Sequence, residues 1–391
     1  MPPARHLLLR YLTRKTRAGR VSITLPDGSR AELVGAEPGP EAEITVHRPR
    51  LLRRLLLGGA NGFADAYLDG DFDTPDLTQL LLFGAANQTA WGSLLRGRWP
   101  LRLAAHLGHR LRPNSKPGSR RNIAAHYDLG NSFYRLWLDR SLTYSSAVFA
   151  EADQPLEEAQ RNKYRLICEA AGIRQGDSVL EIGCGWGGFA IYAAQERQAR
   201  VTAVTISDAQ FDAASKRVHD AGLEDRVTLL KSDYRDLKGS YDAIVSIEMI
   251  EAVGERYWPT YFAKLRSLSQ PGGKVALQAI TIDEGQVAHY RRSADFIQRH
   301  IFPGGMLPSR SQIGDAAQAA GLRVAQDGGY GLDYAQTLAL WRQRFEAAWQ
   351  DVATLGFDQR FRRLWRYYLS YCEAGFRAGR IDLRQIVLAA D

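Results

Sequence analysis

The sequence predicts an α/β chain of two domains. A doubly wound, Rossmann-like domain over 123–391 follows a smaller α+β domain over 1–107 and a linker over 108–122. Three observations predict this. At 391 residues the chain exceeds the size at which a single hydrophobic core stops growing. From about residue 123, apolar β-type runs alternate with helical stretches, which implies a parallel sheet covered on both faces. The stretch GHRLRPNSKPGSRRN between the domains is rich in Pro, Gly, Ser and Arg and has no apolar period.

The elements follow in order. RHLLLRYLTRKTRAGR sets Leu7, Leu8, Tyr11 and Leu12 at helical spacing among six Lys and Arg residues with no acid. That is a short amphipathic basic helix, suited to its own domain's surface or to a membrane. Such an Arg-rich start also mimics an organelle transit peptide. VSITL and EITVH alternate as strands do, and a helix is expected from Pro49 to Tyr67. SVLEIG, RVTAVTIS, RVTLLKSD, YDAIVSIEM and KVALQAITI are the expected strands of the second domain. A last helix from Asp358 carries Phe361, Leu364, Trp365, Tyr368 and Leu369 on one face, a pattern of core packing.

Composition narrows the function classes. With 45% hydrophobic and 24% charged residues the chain is an ordinary globular protein. No run approaches the roughly 18 apolar residues that a membrane-spanning helix needs. We therefore expect a cytoplasmic, unprocessed protein. Cys168, Cys184 and Cys372 are far apart in sequence and form no metal-type pair, which argues against zinc. Residues 1–121 hold 19 Lys and Arg against 10 Asp and Glu, whereas the remainder is nearly neutral. The N-terminal third should thus face something anionic, a lipid surface or nucleic acid.

The stretch VLEIGCGWGG, 179–188, carries the chemistry. A strand ending at Glu181 and Ile182 enters the turn Gly183, Cys184, Gly185, Trp186, Gly187, and a helix begins near Phe189. Glycines suit a turn whose backbone a ligand must approach closely. A dinucleotide site would show G-x-G-x-x-G and an acid at the next strand's end. Here the spacing is G-x-G-x-G, and that strand's end offers only Thr205, Ser207 and Gln210. There is no phosphate-binding G-x-x-x-x-G-K-[ST] either. S-adenosylmethionine remains, a cation without phosphate, for which Tyr144, Trp186 and Tyr234 supply aromatic surface. Nucleic acid is disfavoured as the acceptor, because SIEMIEAVGERYW lacks the proline pair that base-methylating enzymes place after the fourth strand. A cysteine nucleophile is disfavoured too, since Cys184 lies inside the turn.

The motifs HYDLGNSFYRLWLD, SLTYSSAVF, LEIGCGWGG, TISDAQ, SDYRD, EMIEAVG, FIQRHIFPGGMLPS and YGLDYAQTLALWRQRF resemble, in this order, those of the cyclopropane-fatty-acyl-phospholipid synthase family, which includes the mycolic acid methyltransferases. The resemblance is strong over about 122–385. It is weaker through GFADAYLDGDFDTPDL, which looks like that family's N-terminal lipid-binding domain. It implies a Rossmann-like methyltransferase domain in which Tyr144, Ser145, Gly183, Gly185, Thr205, Gln210, Asp233 and Tyr234 surround S-adenosylmethionine. The implied acceptor is a cis double bond in a phospholipid acyl chain, met at the inner face of an anionic membrane, with a homodimer as a further expectation. Alkene methylation creates a carbocation, so the site should be dry and negative or π-lined. Glu251, at a strand's C-terminal end, is the expected negative group.

The resemblance also implies a bicarbonate that removes the proton for ring closure, held by Ser146, Glu251, Gln278, Ile280 and Tyr334. Ser146 and Gln278 stand where many relatives have Cys and His, and Ala252 replaces another His. Ser146 can still serve through its backbone N–H, but Gln278 cannot share a proton as histidine does. A cyclopropane is the expected product. A methylene- or methyl-branched chain is the alternative that these departures leave open.

Overall fold

The computed structural model describes residues 10–92, 115, 116, 118, 119 and 129–390. The expected linker lies almost wholly outside the described residues, as do Leu7 and Leu8. Residues 10–15 are helical, with Leu12 buried and Tyr11 38% exposed.

The chain forms two compact units, and neither is continuous in sequence. The first joins the residues up to His109 to His289–Ile301 and Trp349–Arg380; the second comprises Arg110–Ala288, Phe302–Ala348 and Ile381–Asp391. Two segments expected within the second domain therefore pack with the first.

The first unit is built on a four-stranded sheet, β2-β1-β3-β4, of β1 (Ala18–Thr24), β2 (Arg30–Val34), β3 (Glu37–Val46) and β4 (Phe72–Asp73). The turn LPDGS closes the antiparallel β1–β2 hairpin, with the Leu25 N–H donating to the Ser29 carbonyl. Helix Arg50–Leu68 breaks at Gly59, whose φ of 58° lies outside the range of a right-handed helix. Helix Gln359–Arg377 starts where Asp358 accepts the Phe361 N–H at 2.8 Å, an N-cap worth about 1 kcal/mol. Its Trp365, Tyr368 and Leu369 are buried, whereas Phe361 and Leu364 are half-buried. Its polar side chains show why it joins this unit. Glu373 accepts from Thr78, and Arg363 donates to the carbonyls of Tyr67 and Phe72.

The second unit carries a seven-stranded sheet ordered β10-β11-β9-β8-β5-β6-β7. Its strands are β5 (Ser178–Ile182), β6 (Arg200–Thr205), β7 (Val227–Lys231), β8 (Tyr241–Ile247), β9 (Ser269–Ile282), β10 (Leu322–Gly329) and β11 (Ile381–Ala390). β5 to β9 run parallel, and β11 lies antiparallel between β9 and β10. The five expected strands are those five parallel ones. Val179, Ala203, Ala243 and Val245 form one hydrophobic cluster with the apolar faces of helices Leu156–Ala171 and Gly188–Glu196. Helix Trp258–Leu268 packs with Arg310–Ala319 in a further layer. The strand order reverses at β5, flanked by β6 on one side and β8 on the other. In such sheets ligands bind beyond the carboxyl ends of the strands at the reversal. The glycine turn leaves β5 at that point, and Glu248 and Glu251 follow β8.

Candidate active site

The turn after β5 is pinned to its neighbour. Gly183 and Cys184 both donate their N–H to the Val204 carbonyl, at 2.9 and 3.0 Å. Gly183, Gly185 and Gly187 have φ of 85°, 52° and 80°, in the left-handed region that favours glycine. The three differ in what surrounds them. A Cβ at Gly183 would come 2.9 Å from Met249 Cγ, whereas one at Gly185 would meet nothing within 4 Å. Gly185 is therefore where a ligand has room to reach the backbone.

Around this turn the residues expected to hold S-adenosylmethionine form three groups. Thr205 and Gln210 brace the end of β6: Thr205 Oγ1 donates to Gln210 Oε1 at 2.8 Å and accepts the Ser207 N–H at 3.1 Å. Asp233 is gripped by Arg235 at 2.7 and 2.6 Å. Burial raises its pKa, but the guanidinium outweighs burial and holds it below the usual carboxylate range. Tyr234 stacks edge-on to Tyr261 with centroids 5.5 Å apart, and its buried hydroxyl has no partner among the described residues. The third group is aromatic. Trp186 is buried, donates to Asn131 Oδ1 at 2.7 Å and packs 5.0 Å from Tyr134, while Tyr144 lies 5.4 Å from both Tyr134 and Trp341. Beside them Ser145 Oγ accepts from Lys163 at 2.7 Å. A clear approach to the backbone at Gly185, an orphaned buried hydroxyl at Tyr234 and an aromatic wall fit an aromatic, cationic nucleoside.

The residues after β8 form a carboxylate centre that the sequence reading only half found. Glu248 has φ of 51°, a left-handed conformation uncommon for a non-glycine residue and costing of order 1 kcal/mol. Its surroundings hold it there. Oε1 accepts from the Ser146 N–H at 2.8 Å and from Gln278 Nε2 at 2.9 Å, and Oε2 accepts from the Tyr334 hydroxyl at 2.6 Å. Gln278 is fixed in turn, with its Oε1 accepting from Gln385 at 3.0 Å. Ser146 takes part through its backbone, since its hydroxyl donates to the Ala147 carbonyl.

Ser146, Gln278 and Tyr334, three of the residues expected to hold bicarbonate, thus converge on a carboxylate of the chain itself. The remaining two pair separately: Glu251 Oε1 accepts the Ile280 N–H at 2.6 Å, and its Oε2 is buried without a partner among the described residues. The donor set does not fit an added bicarbonate. Ser146, Gln278 and Tyr334 already give their donors to Glu248, and Ile280 gives its N–H to Glu251; only the protonated Glu251 carboxyl keeps a hydrogen to donate, and a further anion there would meet the Glu248 carboxylate.

The charge also sits elsewhere than expected. Burial, and then the neighbouring Glu248, push the Glu251 carboxyl up to about 8, so it is largely protonated at neutral pH. Burial leaves Glu248 raised as well, but the Tyr334 and Gln278 donors, the Lys163 ammonium and the Ser146 N–H limit that rise. Of the two, Glu248 is the group suited to carry the negative charge. The signal that could have found it is two acids three residues apart, EMIE, directly after a central parallel strand.

The chain is similar to known proteins of one family. A family model described as mycolic acid cyclopropane synthetase matches residues 114–386. The chain is 42% identical over 374 residues to tuberculostearic acid methyltransferase UfaA1 of Mycobacterium tuberculosis, covering 90% of this chain and 84% of that protein. It is 38% identical over 355 residues to the cyclopropane-fatty-acyl-phospholipid synthase of Escherichia coli strain K12, covering 89% and 88%. Among solved structures, the cyclopropane synthase MmaA2 from Mycobacterium tuberculosis superposes with a TM-score of 0.65 at 29% identity, covering 69% of this chain and 98% of that one. Mycolic acid cyclopropane synthase CmaA1, complexed with SAH and CTAB, does so with a TM-score of 0.65 at 30% identity and the same coverage. The sheet order, the glycine turn and these matches converge: the chain belongs to the mycolic acid cyclopropane synthetase family, as an S-adenosylmethionine-dependent methyltransferase.

Proposed function

We propose that this enzyme methylates the cis double bond of an unsaturated phospholipid acyl chain, and that Glu248 rather than bicarbonate takes up the proton released. The product is then a methylene-branched chain. The observation that carries this reading is the convergence of the Ser146 N–H, the Gln278 amide and the Tyr334 hydroxyl on the Glu248 carboxylate. Tyr144, Ser145, Gly183, Gly185, Trp186, Thr205, Gln210, Asp233 and Tyr234 would hold S-adenosylmethionine, which supplies an electrophilic methyl group. The alkene's electron pair forms the new C–C bond and leaves a cation on the neighbouring carbon. A carboxylate hydrogen-bonded to Tyr334, whose ring centroid lies 6.1 Å from that of Trp341, stabilises that charge.

Ring closure and branching give isomers, each one CH2 heavier than the substrate. In closure the base takes a proton from the new methyl group at once. In branching a hydride shifts first, and the proton leaves afterwards to form the methylene. Three of the roughly four acceptor sites on the Glu248 carboxylate are occupied, so it can take the proton from one direction only. The similarity to a tuberculostearic acid methyltransferase supports branching, and the similarity to a cyclopropane-fatty-acyl-phospholipid synthase supports closure as the second reading.

The basic N-terminal third suits peripheral binding at the inner, anionic face of a membrane. Among the described residues no helix is long and apolar enough to cross one. The test is to incubate enzyme, methyl-labelled S-adenosylmethionine and vesicles of unsaturated phospholipid in carbonate-free and bicarbonate-containing buffers, then examine the acyl chains by NMR. Vinylidene signals with no bicarbonate requirement are expected. Upfield ring protons appearing only with bicarbonate would overturn the role of Glu248, and unlabelled lipid would overturn the acceptor.

A further inference from the structure

We propose that Lys163 is the buried counter-cation of Glu248, a positioning residue that keeps this carboxylate ionised and ready to accept a proton. This rests on the reading of Glu248 as the base. Lys163 lies in helix Leu156–Ala171 and has no solvent exposure. An ammonium group has three donors, yet among the described residues Lys163 makes one hydrogen bond, 2.7 Å to Ser145 Oγ. Its Nζ also lies 4.7 Å from the Tyr164 ring centroid. A charged lysine so poorly hydrogen-bonded in the interior is costly unless anions compensate it.

The compensation comes through one dipeptide. Lys163 grips the side chain of Ser145, and the N–H of Ser146, the next residue, donates to Glu248 at 2.8 Å. Gln160, one helical turn earlier, fixes the Ser145 carbonyl at 2.9 Å. The cation and the carboxylate thus hold the Ser145–Ser146 segment between them.

The other charged and titratable groups around the pair leave Lys163 as its cation. Asp139 and Glu181 also act on Lys163, while Tyr334 and Glu251 act on or are acted on by Glu248. Asp139 is occupied by the Ser141 and Thr143 backbone N–H groups at 2.7 and 3.0 Å. Burial pushes Glu181 up to about 8, so it is largely protonated at neutral pH, and pushes Lys163 down to about 7, so Lys163 carries its charge below neutral pH.

The test separates a counter-cation from a bolt that merely holds Ser145. Lys163→Met removes the charge at nearly constant length, and Lys163→Gln is the second variant should the first fail to fold. In a double-mutant cycle with Glu248→Gln, read as urea midpoints at pH 6.5, where Lys163 is mostly charged, the loss caused by either Lys163 variant should fall by half or more once Glu248 is uncharged. An equal loss in both backgrounds overturns the proposal. For kcat/KM of methyl transfer to unsaturated phospholipid vesicles, removing the cation raises the pKa of the base. The acid limb should then move up by about one pH unit or more, and an unmoved limb with a lower plateau overturns the proposal. If the wild-type enzyme transfers no methyl to lipid, the acceptor assignment fails, whereas the stability cycle still judges the ion pair.

Discussion

Replacing Glu248 by Gln removes one charge and almost no volume, and the structure sets what each change should do. The amide oxygen can take the place of Oε1 and keep both the Ser146 N–H and the Gln278 amide. The new NH2 then faces the Tyr334 hydroxyl, which can turn its proton away and accept instead. All three contacts survive as neutral hydrogen bonds, each weaker than its charge-assisted form by roughly 1 kcal/mol. The variant no longer bears the cost of the buried carboxylate, and Lys163, already pushed down to about 7, can shed its proton rather than stay uncompensated, which offsets much of that loss. Stability should therefore change by no more than about 2 kcal/mol, measured in urea. Cofactor binding, followed by calorimetry with S-adenosylhomocysteine, should stay within about threefold, because Glu248 lies outside the glycine turn. Catalysis should fall by about 100- to 10,000-fold, the usual contribution of a positioned base and equivalent to roughly 3 to 5 kcal/mol of barrier. Added bicarbonate should restore nothing, since the amide fills the same space. Turnover within tenfold of wild type, with cofactor binding intact, would refute the assignment of Glu248 as the base.

The glycine turn offers a paired test. Gly183→Ala, strained at φ 85° and driven against Met249, should cost about 1 to 3 kcal/mol of stability, whereas Gly185→Val should fold and lose S-adenosylmethionine binding in calorimetry. Glu251 gives a pH signature. Its folded pKa, near 8, lies above the unfolded value, so the native state holds the extra proton and loses stability as pH rises from about 4.5 to 8. Glu251→Gln should therefore gain on wild type in melting temperature between pH 5.5 and 7.5, by up to about 1.4 kcal/mol per pH unit, and a constant gap would show that Glu251 is ionised. Binding to anionic vesicles should weaken steeply with salt and on deleting residues 1–20, at about 1 kcal/mol per basic residue near the surface. Equal sedimentation with neutral and anionic vesicles would give the basic segment another partner.

The strands and the turn were legible because their signals are local. Five apolar runs alternate with helices, and three glycines crowd a strand's end, so period and turn chemistry identify both without knowledge of any distant contact. Lys163 was legible in principle as well. Ala159, Lys163 and Ile167 share the helix face that also buries Gln160, Tyr164 and Cys168, so a lysine sits on an apolar stripe. The division into units was not legible. Residues 349–380 join the first unit through contacts such as Glu373 with Thr78, some 295 positions apart, and no local pattern announces them.

Glu248 shows most clearly where reading in one dimension ends. The motif EMIEAVG drew attention to Glu251, which follows the strand at the position where an acid is expected, and nothing in the letters ranks one acid over the other. The ranking comes from donors that arrive on three separate elements. Ser146 precedes the second unit's sheet, Gln278 lies on β9, and Tyr334 opens helix Gly331–Ala347. Glu248 receives all three, while Glu251 receives the Ile280 N–H alone and keeps an oxygen with no partner among the described residues. Two carboxyl groups this close, with unequal donor sets, are driven to opposite protonation states. The left-handed backbone at Glu248 fits the same logic, because the strain is sustained by the hydrogen bonds it makes possible. A glycine at 248 would relieve the strain and release the Ser146, Gln278 and Tyr334 donors. Glu248→Gly should therefore respond to bicarbonate where wild type does not, and methyl transfer that bicarbonate leaves unchanged in this variant would show that those donors serve another purpose.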